Sequence, residues 1–90
     1  MAYRIVLKRS AAKELADLPS RSHDTIIKHL RDLESNPRKP GVEKLTGIDA
    51  YKLRVGNYRV VFEIDEAAKE VNIVMVDDRK QVYQRLRRKK

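Results

Sequence analysis

The sequence predicts an α+β domain in which an N-terminal strand and a helical hairpin precede a three-stranded antiparallel meander, in the order β-α-α-β-β-β. Two observations predict it. Between residues 10 and 36 apolar side chains recur at helical spacing, and between residues 50 and 76 they recur at every second position, interrupted by short turns. Strands that follow a helical pair and are joined by short turns are typical of α+β domains. The 90 residues are enough for one domain, spanning 1–90.

The two predicted helices occupy the first half of the chain. Ser10 is placed to cap a short first helix, and Pro19 interrupts that helix. Ser20 is placed to cap the second helix, which the Asn36-Pro37 step ends. Its apolar residues recur at 3.6-residue spacing and should face a sheet: Ile26, Ile27, Leu30 and Leu33.

The predicted strands are recognised by alternation. Residues 3–8 alternate and predict a first strand, and residues 37–49 are rich in Pro, Gly and charge and predict a loop. Gln81–Leu86 can form a short C-terminal helix. The meander should consist of three runs: 50–55, 58–64 and 71–76.

The hairpin within this meander can be given a register. Gly56-Asn57 suits a two-residue primed turn, since both residues tolerate positive φ. Such a turn makes Arg54 face Arg59 and Lys52 face Val61. One face is then wholly apolar and should pack on the helices, whereas the other carries Lys52, Arg54, Arg59, Val61 and Glu63.

The charged face has two interpretations. Like charges directly opposed across strands are destabilising, so Arg54 against Arg59, with Lys52 one pleat away, indicates a site whose repulsion a bound phosphate would relieve. An outer sheet face that is simply solvated is the alternative, because Glu63 could neutralise part of the cluster. Arg79 and Lys80, which follow the third run, favour the phosphate site, and Tyr83 beyond them suits stacking on an unpaired base.

Composition excludes several classes of protein. The net charge of +8 is concentrated at the C-terminal end, because residues 79–90 hold seven basic residues and no acidic one. The rest of the chain is therefore nearly neutral. The terminal R-L-R-R-K-K either only keeps the protein soluble or contacts RNA. The absence of cysteine excludes disulfides and thiol catalysis, and no apolar run approaches the ~20 residues of a membrane helix. The N-terminal apolar stretch is too short for a secretion signal, and we expect a cytoplasmic protein.

Other candidate sites are weak. His23 shares the apolar stripe of the second helix, which makes a packed or rim histidine the better interpretation for it. Asp77-Asp78 resembles no metal site, because neighbouring strand residues point to opposite sides and no His or Cys supports them. Three glycines without the required spacing exclude a phosphate-binding loop. We expect neither a metal nor a cofactor.

Two segments resemble the RelE/ParE superfamily of bacterial and archaeal toxins: Y-K-L-R-V-G-N-Y-R-V-V-F-E-I and D-R-K-Q-V-Y-Q-R-L. The opening M-A-Y-R-I-V-L-K-R-S-A-A-K-E-L is also similar. The resemblance covers nearly the whole chain and implies an RelE-like toxin domain that cleaves messenger RNA in the ribosomal A site. The implied reaction is attack by a ribose 2′-hydroxyl on the neighbouring phosphate.

The resemblance also assigns residues. It implies that Lys52 activates the 2′-hydroxyl, Arg59 holds the scissile phosphate, Arg79 stabilises charge or assists the leaving group, and Tyr83 orients or stacks on the base. We expect additional RNA contacts from Arg54, Lys80 and Arg85. Arg54 stands where some members have lysine, which makes its expected role electrostatic. Asp78, an acidic residue unusual at its position, could orient Arg79 or weaken the positive field.

The resemblance implies the partners too. A RelB-like antitoxin in a hetero-oligomer, the ribosome and messenger RNA are expected, and a membrane is not. Two alternatives remain open at this point. The chain could be a ParE-like protein that inhibits DNA gyrase by binding without cutting RNA, or a toxin whose ribonuclease activity has decayed into binding. The joint presence of Lys52, Arg59, Arg79 and Tyr83 favours the ribonuclease.

Overall fold

The computed structural model describes residues 2–78, and these form two helices packed on one face of a five-stranded sheet. The predicted α+β class is confirmed. The predicted C-terminal helix at 81–86 lies outside the described residues. The elements, in chain order, are β1 (Arg4–Leu7), α1 (Arg9–Ala16), α2 (Ser20–Ser35), β2 (Val42–Lys44), β3 (Tyr51–Val55), β4 (Tyr58–Asp65) and β5 (Glu70–Asp78).

The sheet order is β1-β5-β4-β3-β2, with β1 parallel to β5 and the other pairs antiparallel. The meander is therefore as predicted, but β2 lies inside the segment predicted to be a loop. Three residues are too few to show alternation, and only Val42 of the three is apolar. Pairing with β3 across the sheet, rather than local propensity, makes β2 a strand.

Both helices are amphipathic and begin slightly earlier than predicted. The N-cap positions are Lys8 and Pro19, and neither helix has a side-chain cap. The predicted caps Ser10 and Ser20 are therefore wrong: both serines lie inside the first turn. The helices depend instead on their apolar faces, which bury Ala11, Leu15, Ile26, Leu30 and Leu33.

The main core lies between these helices and the inner face of the sheet. Phe62 at its centre is fully buried and stacks on Tyr51, with ring centroids 5.8 Å apart. As predicted, the apolar face of the hairpin packs toward the helices, and it contributes Leu53, Val55, Val60 and Phe62 to this core.

A second, smaller apolar cluster lies on the outer face of the sheet. It consists of Leu45, Ala50, Val61 and Met75, all buried, with Val74 packed against them. Val61 is fully buried, although its neighbours along the same face are charged. The outer face is therefore divided, with apolar side chains in the middle and charged side chains toward the ends.

A polar network joins segments that are far apart in the chain. The Glu66 carboxylate accepts from the Tyr3 hydroxyl at 2.8 Å and from the Arg38 guanidinium at 2.7 Å. Arg38 also lies over the Tyr51 ring, 5.7 Å from its centroid. The Arg38 hydrogen bond, followed by that of Tyr3, lowers the pKa of Glu66 to about 2.

This network predicts acid sensitivity. A carboxyl group whose pKa is lower in the folded chain stabilises the fold above its unfolded pKa, near 4.5, and that stabilisation is lost as pH falls toward 2. Urea unfolding of Glu66→Gln should therefore show a weaker loss of stability than the wild type over this range. Arg38→Gln, which removes the main donor, should weaken the pH dependence in the same way. Equal pH dependence in all three proteins would contradict the role of the network.

Candidate functional site

The hairpin β3–β4 has the predicted register. Arg54 lies opposite Arg59 and Lys52 lies opposite Val61. Gly56 has φ +59°, whereas Asn57 is not among the residues with positive φ, which is the pattern of a type II′ turn. The predicted primed turn is thus present, and it fixes the three cations on one rigid element.

The three cations line a small cleft on the outer face. Its volume is about 230 Å³, and its lining is polar: Gly41, Glu43, Lys52, Arg54 and Arg59. Lys52 and Arg59 are half-buried and Arg54 is exposed. The cleft is smaller than a typical small-molecule pocket of roughly 300–1,000 Å³. It suits a single phosphate or sugar group of a longer polymer that continues across the surface.

Glu43 was missed by the sequence analysis. Strand β2 places it opposite Lys52, and its Oε1 lies 3.6 Å from Lys52 Nζ. Lys52 is 23% exposed, so the pair lies partly within the cleft. The Val-Glu-Lys segment carries little signal by itself, and Glu43 becomes a cleft residue only through the pairing of β2 with β3. The cleft therefore holds the side-chain nitrogen of Lys52 beside a carboxylate.

A second carboxylate stands next to the cations on the other side. Asp77 of β5 occupies the register position opposite Arg59 of β4. Arg54, Arg59 and Asp77 therefore form one row across three strands. In sequence, Asp77 was considered only as a metal ligand, and within residues 2–78 no group of three or more His, Cys, Asp or Glu side chains could hold a metal ion.

The histidines are remote from this row. His23 and His29 belong to α2, which packs on the inner face, so the sheet separates them from the cleft. The His23 side chain is 40% exposed and lies 3.3 Å from Asp24, which agrees with the rim position predicted for it.

Several predicted site residues lie outside the described part of the chain. These are Arg79, Lys80, Tyr83 and Arg85, together with the side chain of Asp78, so their predicted roles stay predictions. The described part contains no helix long and apolar enough to cross a membrane.

Solved structures of toxins share this fold. A chain of the archaeal RelE-RelB complex from Pyrococcus horikoshii matches with a TM-score of 0.78 and 29% identity, over 90% of this chain and 99% of that one. The intact Escherichia coli RelBE toxin-antitoxin complex matches with a TM-score of 0.78 and 27% identity, over 88% and 99%. A mutant of E. coli RelE in the free state matches with a TM-score of 0.82 and 26% identity, over 99% and 98%. A search of curated proteins gave no match.

The fold is thus that of the small toxins of type II toxin–antitoxin systems, and the sequence supports the same class. A family model described as the ParE toxin of the type II toxin-antitoxin system, parDE, matches residues 5–83. The chain belongs to this family, within the RelE/ParE superfamily, and is the toxin component of a type II system.

Proposed function

We propose that this toxin is a ribosome-dependent endoribonuclease that cleaves messenger RNA in the A site. The observation that carries the proposal is the convergence of Lys52, Arg54 and Arg59 on one cleft of about 230 Å³. Concentrating like charges on a rigid sheet costs stability, and a phosphate diester between them would offset that cost. The similarity to RelE structures favours RNA as the source of the phosphate.

The proposed reaction breaks one bond and forms one bond at phosphorus. The ribose 2′-oxygen attacks the adjacent phosphorus and loses its proton to Lys52, acting as an amine. The bond from phosphorus to the 5′-oxygen breaks, and this oxygen takes up a proton from solvent, so the products are a 2′,3′-cyclic phosphate and a 5′-hydroxyl. The mechanism relies on protein side chains alone and requires no metal.

The remaining residues bind and orient the substrate. Arg59 donates to the phosphate oxygens as negative charge develops on them. Arg54, which is exposed at the rim of the cleft, attracts the backbone of the incoming RNA. In this proposal Arg79 assists departure of the 5′-oxygen, Tyr83 stacks on the base, and Lys80 and Arg85 contact flanking phosphates.

The natural inhibitor would be a RelB-like antitoxin in a toxin–antitoxin hetero-oligomer. The E. coli and P. horikoshii structures contain RelB beside the toxin. An acidic, partly disordered antitoxin segment would suit the cationic cleft or displace the segment around Tyr83. The toxin would meet both its target and its inhibitor in the cytoplasm.

A second function is favoured by one observation: the matching family model is that of ParE toxins. In that case the chain would poison DNA gyrase by binding and leave RNA intact. Primer extension on a translated message after expression of the toxin separates the two functions. Cuts in phase with codons are expected. Intact message together with accumulating gyrase–DNA breaks would establish the gyrase function instead.

A further inference from the structure

Strand β5 contains an irregularity that changes which side chains face outward. Val61 pairs with Met75 while its neighbour Phe62 pairs with Ile73, so Val74 is an extra residue in β5. Such a β-bulge bends the strand and redirects the side chains that follow. Before it, Val71 and Ile73 face the main core, and after it Met75 belongs to the outer cluster.

The bulge determines the direction of Asp77. Without the extra residue, strict alternation would put Asp77 on the same face as Val71 and Ile73, toward the core. With it, Val76 faces the core and Asp77 faces outward beside Arg59. Directly opposed residues of an antiparallel pair have Cβ atoms ~4.5–5.5 Å apart, which is within reach of a carboxylate and a guanidinium.

The segment after the bulge is also fixed from the other side. The pairing of β1 with β5 ends at Leu7 and Ile73, so it does not extend to the residues after the bulge. There, Glu14 of α1 accepts a hydrogen bond from the backbone N–H of Val76, at 2.9 Å from its Oε1. The residue immediately before Asp77 is therefore tied to α1, while β4 pairs with the opposite edge.

We propose that Asp77 is a positioning residue for Arg59, an inference that rests on the proposed ribonuclease function. Arg59 lies between a like charge, Arg54, and the Asp77 carboxylate. A guanidinium has five N–H donors in a rigid plane, and a carboxylate can engage one edge of it. Asp77 thus draws the guanidinium away from Arg54 and leaves its other donors directed at the phosphate.

Steady-state cleavage on programmed ribosomes tests this inference with Asp77→Asn, Arg59→Ala and the double variant. Asp77→Asn should lower kcat about tenfold or more and should not raise KM. A loss of this size is typical when a residue that orients a functional side chain is removed, as is known for residues that orient metal ligands. In the Arg59→Ala background it should have no further effect, because the residue that it positions is gone.

Two results would contradict the positioning role. An unchanged kcat with lower KM would mean that Asp77 only weakens the positive field, and additive losses in the double variant would mean that Asp77 acts independently of Arg59. Either result would overturn the proposal.

A second measurement does not depend on cleavage. The Nε–H resonance of Arg59, recorded by ¹⁵N NMR on the free protein, should shift and exchange faster in Asp77→Asn. The matched control is Glu63→Gln, which removes a carboxylate from the same face of β4 at the position opposite Asn72. It should leave the Arg59 signal unchanged. If the wild type cleaves no RNA but the resonance responds as expected, the ribonuclease proposal fails and the Asp77–Arg59 interaction stands. An unchanged resonance in Asp77→Asn refutes that interaction.

Discussion

Arg59→Ala is expected to reduce ribosome-dependent cleavage by about 10²–10³-fold in kcat, the loss typical of removing one preorganised donor to a developing oxyanion. Arg59 is half-buried on the second strand of a hairpin, between Arg54 and Asp77. In our proposal Asp77 holds its guanidinium in place before substrate arrives, which is the condition for stabilising a transition state rather than merely attracting RNA. Single-turnover cleavage of a programmed message measures the effect.

The control for this prediction is the opposite arginine. Arg54 has the same charge in the same row but is exposed at the rim of the cleft. Arg54→Ala should therefore raise KM and weaken the dependence of binding on salt, with a smaller change in kcat. If the two variants lose the same fraction of kcat, the cleft acts as a diffuse positive field, and Arg59 has no particular role in stabilising the transition state.

Removal of residues 79–90 is expected to abolish toxicity while leaving the sheet folded. All five strands and both helices lie within residues 2–78, so the truncation deletes none of them. It removes seven basic residues and Tyr83. These include Arg79, which is predicted to assist the leaving group, and Tyr83 is the residue predicted to stack on the base. Growth after induced expression measures toxicity, and circular dichroism measures the retained fold. Collapse of the dichroism signal would contradict the second half of the prediction.

A finer variant separates the two contributions of the deleted segment. Replacing Arg87, Arg88, Lys89 and Lys90 with glutamine removes four positive charges but retains Arg79 and Tyr83. If the tail contributes only electrostatic affinity, this variant should remain toxic, with RNA binding that is weaker and less dependent on salt. Loss of cleavage even at low salt would assign the tail an essential contact.

The hairpin could be predicted from sequence because its information is local. Alternation at period two and a Gly-Asn turn determine both register and facing, and hence the juxtaposition of Lys52, Arg54 and Arg59. Glu43 could not be predicted, since it reaches the cleft only through a three-residue strand formed by pairing across the sheet. Asp77 could not be predicted either, because a bulge leaves no mark in the alternation of apolar residues until the partner strand is known.

Long-range pairing was the other limit of prediction. The strand predicted at residues 3–8 is present as β1, but nothing in its own sequence indicates that it lies parallel to β5. The serine caps failed for a different reason. The N-cap positions are Lys8 and Pro19, so each helix begins before the serine that was predicted to cap it. Burial of the apolar faces stabilises the helices without a side-chain cap.

The parallel pairing of β1 with β5 has a consequence for biosynthesis. β1 is the first strand to be translated and its sheet neighbour is the last of the described strands, so a nascent chain cannot complete the sheet until Glu70–Asp78 has emerged. A product that stops earlier lacks β5, the strand that joins β1 to β4, and it also lacks Asp77. Interrupted translation therefore yields fragments that contain the residues lining the cleft but cannot complete the sheet that holds them in place.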